Sequence, residues 1–109
     1  MTIEAVLAEC QKAAPHIAWV VTNADADVAP LEVADSDKDL RIRLHSSGTW
    51  SASWYCPMND KNGKLVGRAY TAKTAAAALT EVQQMAQKRI QQMQNKVNEA
   101  TALLQKLLP

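Results

Sequence analysis

From Thr71 to Leu108 the chain runs 38 residues without a glycine or a proline. Nothing in that stretch breaks a helix, so it predicts one helix of some 35 residues, roughly 50 Å long, starting near Thr71 or Thr74. Its apolar surface has two zones. Between Ala72 and Ala86 it is broad (Ala75, Ala76, Ala78, Leu79, Val82, Met85 and Ala86), a width that suits packing on a sheet. From Lys88 onward it narrows to Ile90, Met93, Val97, Ala100, Leu104 and Leu107, a coiled-coil seam with alternating three- and four-residue intervals. Strands of six or seven residues reach only about 20 Å, so half of this helix overshoots any sheet it covers. A narrow seam does not stand alone in water. It needs the amino-terminal helix or a second copy as partner, and the expectation is a homodimer through those six residues. The chain then divides into a domain over residues 1–86 and a coiled-coil-like extension over 87–109.

The segments before the helix are short. Residues 2–14 read as a helix capped by Thr2, with Ile3, Val6, Leu7 and Cys10 on one face and Pro15 ending it. His16 to Thr22 is a β-branched and aromatic run that reads as a strand. Residues 23–39 are acidic with Pro30 in the middle, a long loop with a short strand near Leu31 to Val33. Leu40, Ile42 and Leu44 alternate with Arg41, Arg43 and His45; after a Ser46–Gly48 turn, Trp50, Ala52 and Trp54 alternate with Ser51, Ser53 and Tyr55. Asn62-Gly63 marks a second hairpin, leading into a strand over Lys64–Tyr70. The expected fold is α+β: a three- to four-stranded antiparallel sheet packed against a long carboxy-terminal helix, with a short helix at the amino terminus. Trp50 and Trp54 belong to its core.

Little here points to catalysis. His16 and His45 have no cysteine or carboxylate at a triad-like spacing, and three isolated glycines form no phosphate cradle. Asp35, Asp37 and Asp39 alternate like the start of a calcium loop, but the sixth position is Leu40 and the twelfth is Ser46, where that loop needs Gly and Glu. Cys10 and Cys56 match no metal-ligand spacing. The expectation is a non-enzyme without metal or cofactor. No run approaches membrane-spanning length and the first residues carry no basic cluster, so the sequence reads as a reduced, cytoplasmic chain. Charge is strongly segregated. Residues 1–40 hold eight acids and two bases, whereas residues 41–109 hold ten bases and three acids. The basic part suits nucleic acid or an acidic partner.

With the apolar strand residues facing the helix, the opposite sheet face carries Arg41, Arg43, His45, Ser51, Ser53 and Tyr55, joined by Arg68 and Tyr70. Arginine forks grip phosphates or read guanine edges, hydroxyls suit phosphate contacts, and a sheet ribbon fits the major groove. The run from Leu40 to Ala86 resembles the β-β-β-α DNA-binding domain of plant ethylene-response factors and is similar to the arm-binding domains of phage tyrosine integrases. The resemblance rests on Arg43, Gly48-Thr49-Trp50 with Ala52, Gly67 before Thr71, and Ala75, Ala76 and Ala78. It implies major-groove binding with Arg43, His45, Ser53 and Tyr55 as contacts. Two positions often basic in that family are His45 and Tyr55 here, and Ser47 stands in place of a contact tryptophan. The leading expectation is a DNA-binding accessory protein of phage or mobile-element type, gripping double-stranded DNA through Arg41, Arg43, Lys64 and Arg68. The alternative is an adaptor or phage-encoded inhibitor that binds a nucleic-acid enzyme through its acidic loop or its helix.

Overall fold

The computed structural model describes residues 1–55, the backbone of 65–68, and residues 72–109. These form α1 (Ile3–Ala13), β1 (Trp19–Asn23), β2 (Leu31–Asp35), β3 (Leu40–Leu44), β4 (Trp50–Tyr55), β5 (Leu65–Arg68) and α2 (Ala75–Leu107). The α+β class is the expected one. The sheet is an antiparallel meander of five strands, in the order β1-β2-β3-β4-β5. The short strand expected near Leu31 to Val33 is present and longer, so the acidic stretch 23–39 is two short connections around β2, whose residues Leu31 to Ala34 pair with β3. That splits the acids: Asp25 and Asp27 lie at one end of β2, and Asp37 and Asp39 at the other. The first strand starts later than His16, since Ile17 N–H bonds back to Ala14 C=O (3.2 Å) in a turn after α1. The Asn62-Gly63 hairpin signal, Lys64 and Tyr70 lie outside the described residues.

Both helices cover one face of the sheet. α1 lies over β1 and β2, and α2 lies over β4 and β5, in contact with α1. The cross-strand rows on that face are Leu31–Leu44–Trp50 and Val33–Ile42–Ala52. Val6 and Cys10 of α1 and Ala75, Ala78 and Val82 of α2 close over them. Alanines at 75 and 78 bring the backbone of α2 close to the sheet, which compensates for a chain with no Phe. Trp50 is buried; Trp54 is half-buried and packs against the same core, as the alternation requires.

The ends of the elements follow local chemistry. Thr2 Oγ1 accepts from Ala5 N–H (3.3 Å), and Thr74 Oγ1 accepts from Ala77 N–H (3.1 Å), each satisfying an orphan donor of the first helical turn. Gly48 has φ +85°, and a Cβ there would meet nothing within 4 Å, so the backbone conformation selects glycine.

α2 has 33 residues, and the molecule measures 64 × 25 × 23 Å. Its radius of gyration of 17.4 Å exceeds the roughly 13 Å of a compact chain of this length, because the distal half of α2 projects beyond the sheet. α1 does not cover that projection; its apolar residues are spent on the core. No described helix is long and apolar enough to cross a membrane.

Candidate functional site

Two surfaces carry the residues singled out from the sequence. The first is the sheet face away from the helices. Two rows cross it: Glu32–Arg43–Ser51, and Ala34–Arg41–Ser53 with Arg68 of β5 at the far end. Arg41 and Arg43 do share this face with Ser51 and Ser53. The new element is Glu32, which lies in the short strand expected near Leu31 to Val33 but whose pairing with the arginines alternation does not show. Its carboxylate accepts from Arg41 Nη1 (3.0 Å), from Arg43 Nε, and from Thr22 Oγ1 (2.7 Å). A β-bulge supplies the third contact. Residue 23 pairs with Glu32 where a regular ladder would have placed Thr22, so Thr22 is the extra residue of β1.

Burial alone would raise the pKa of Glu32. The Thr22 hydroxyl, the Arg43 charge and the bonds from both guanidiniums outweigh it and hold the carboxyl below its ordinary value. The arginines are thus partly engaged within the chain. Their side chains remain 34% and 28% exposed.

The rest of this face is quieter. His45 Nε2 lies 2.8 Å from Ser51 Oγ, but Ser51 is buried in its row, so this hydroxyl is not presented to a substrate. Ser53 is 1% exposed, and its Oγ has no hydrogen-bond partner among the described residues. Tyr55 is exposed at the end of β4. The backbone register sets Arg68 opposite Ser53; Lys64 lies outside the described residues. At a sheet end, Asp35, Asp37 and Asp39 bring carboxylate oxygens within 4.8 Å of one another. One Asp35 oxygen already accepts from Leu40 N–H (2.9 Å), and the other two residues are exposed.

The second surface is the distal half of α2. Ile90, Val97, Leu104 and Leu107 are 46%, 56%, 55% and 80% exposed, so the seam lies open to solvent along its length. Met93 is half-buried and Ala100 exposed. Leu103 and Leu108 widen the seam into a leucine cluster at its tip, both exposed. At its other end the seam runs into an apolar groove of about 280 Å³, where α2 leaves the sheet. Leu79, Val82 and Ala86 form one wall, and Ile17, Leu40 and Trp54 form the other. Helical spacing places Leu79, Ala86, Ile90, Met93 and Val97 on a single stripe, so groove and seam are one continuous surface. The flanks are polar, tied by Gln91 to Asn95 (3.0 Å) and Gln94 to Asn98 (3.1 Å).

No family model, curated protein or solved structure matches this chain.

Proposed function

We propose that this chain is a non-enzymatic interaction module whose binding element is the distal half of α2 and whose partner is a second copy of itself. The observation that carries this reading is the open apolar seam on a helix that overshoots its own sheet. Six apolar residues at heptad spacing, with glutamine and asparagine on either side, suit a helix that docks on another helix. The sheet domain is the body carried by that helix. Replacing Val97 and Leu104 with Glu tests the reading. Sedimentation of the parent chain at tens of micromolar should give a dimer, and the double variant a monomer with unchanged circular dichroism from the sheet. A parent chain that sediments as a monomer would falsify it.

A second reading keeps double-stranded DNA as a ligand of the sheet face. It is favoured by the adjacent placement of Arg41 and Arg43, by the neighbouring His45, and by the resemblance to β-β-β-α DNA-binding domains. Glu32 stands against strong binding, because a phosphate has to compete with it for both guanidiniums. This competition gives a two-sided test by gel shift near 50 mM salt. Arg41→Ala/Arg43→Ala should weaken binding and flatten its salt dependence, while Glu32→Gln should tighten it by releasing one compensated charge. Failure of both shifts removes the sheet face from DNA binding. A nucleic-acid-binding protein docking on the acidic segment is less favoured, since β2 separates its aspartates into two groups.

A further inference from the structure

We infer that the two copies pair antiparallel, with the leucine tip of each α2 filling the apolar groove beside Trp54 of the other. This rests on the dimer reading above and specifies its geometry. The first argument is spacing. A two-fold interface must be self-complementary, so a feature at one distance from the dyad needs its match at the same distance on the other side. Taking the dyad beside Asn95, Val82 of the groove lies about thirteen residues to one side and Leu108 of the tip about thirteen to the other, roughly 20 Å each way.

The second argument is size. In this register Met93 meets the partner's Val97, Ile90 meets the partner's Ala100, and Ala86 meets the partner's Leu104. Each alanine of the stripe faces a large side chain, the alternation that lets facing layers interdigitate. A parallel pair instead sets Ala86 on Ala86 and Ala100 on Ala100, and leaves the groove open.

The third argument is length. The seam from Ile90 to Leu107 is about two and a half heptads, short for a stable two-helix pairing. Adding the groove extends the contact from Val82 to Leu108, close to four heptads.

The fourth argument is shape. The groove's second wall (Ile17, Leu40 and Trp54) rises on the same side of α2 as the seam. In a parallel pair the two walls meet at the same level, where paired helices stand only about 8–10 Å apart. In an antiparallel pair each wall meets a bare helix tip. Lys96 of both copies then flanks the dyad on the solvent side, where added salt screens the repulsion and tightens the dimer.

The test places a nitroxide on the outer side of the tip, at Gln105→Cys, in unlabelled chain carrying Cys56→Ser. This is mixed with an equal amount of ¹⁵N-labelled Cys56→Ser chain, and Trp54→Phe assigns the Trp54 indole signal. Sedimentation of the same sample reports the dimer independently. The expected result is a dimer in which the Trp54 indole N–H signal falls by about half, the share of ¹⁵N chains that random pairing sets against a nitroxide chain, and recovers when the nitroxide is reduced. A dimer whose broadening spares Trp54 and falls on the final helical turns overturns the antiparallel arrangement and leaves the dimer standing. A monomer overturns both.

Discussion

A carboxylate that accepts from two guanidiniums and a hydroxyl leaves three groups without their partner when it is removed. Glu32→Gln keeps the shape but loses the charge. Because both arginines are about a third exposed and can turn to water, we expect a loss of about 1–3 kcal/mol, below that of a fully buried pair, read from the urea midpoint at pH 7. The pH dependence follows from the sign of the shift. The carboxyl is held below its ordinary value, so its contribution is complete above about pH 4.3 and is lost as pH falls through the depressed value. The acid limb of the parent's stability curve should therefore be steeper than that of Glu32→Gln. Cys10 makes the opposite case. Burial, helped by the charge of Glu9, pushes its thiol up to about 12, so no thiolate is presented near neutrality. In Cys56→Ser protein at pH 8, Cys10 should react with a disulfide reagent only as fast as the chain unfolds. Fast labelling of the folded protein would show that α1 does not seal the core. At this scale the sequence was only half legible. Period-two alternation placed Arg41 and Arg43 on the open face correctly, since alternation is local. Their partner was hidden because Glu32 meets Arg43 across a strand pairing. The short strand near Leu31 to Val33 was legible, but which strand it pairs with, and in what register, is not written in local spacing.

The elements were the most legible level, because their limits depend on a few neighbouring residues. Thr2 and Thr74 cap the two helices as their positions suggested, and Ser46–Gly48 turns the β3–β4 hairpin. Thr74→Ala should cost about 1 kcal/mol through the lost bond to Ala77 N–H, with hydrogen exchange accelerated first at Ala75 to Ala78. Gly48→Ala should cost about 1–2 kcal/mol in spite of the empty space around it, because the strain lies in φ and not in a clash. If Gly48→Ala proves neutral by chemical denaturation, the turn relaxes to another conformation. β1 was the least legible strand. Its bulge at Thr22 cannot be read from residue types, since it exists only relative to β2. The same bulge turns Asn23, whose side-chain amide donates to the carbonyls of Asp25, Ala29 and Pro30 (2.9–3.1 Å), so a stretch that looks unstructured by composition is held by one residue.

At the scale of the molecule, the overshoot of α2 was readable from arithmetic alone, since a helix rises about 1.5 Å per residue and short strands cannot match 33 of them. What covers the overshoot was not, because the seam's pattern is satisfied equally by α1 or by another chain; burial of Val6 and Cys10 in the core removes α1 from the choice. If the seam is covered by a second copy, stability depends on mass action, and the thermal midpoint should rise with protein concentration for the parent chain and stay fixed for Val97→Glu/Leu104→Glu. The strand order has a consequence in time. Each strand lies beside the one made just before it, so during synthesis every new segment finds its neighbour already present, and the contacts that set the folding rate stay short in sequence. Ala75, Ala78 and Val82, which close the core, are made after all five strands, and the seam is made after them. The segments that build the body therefore precede, in the order of synthesis, the surface that would join the chain to another.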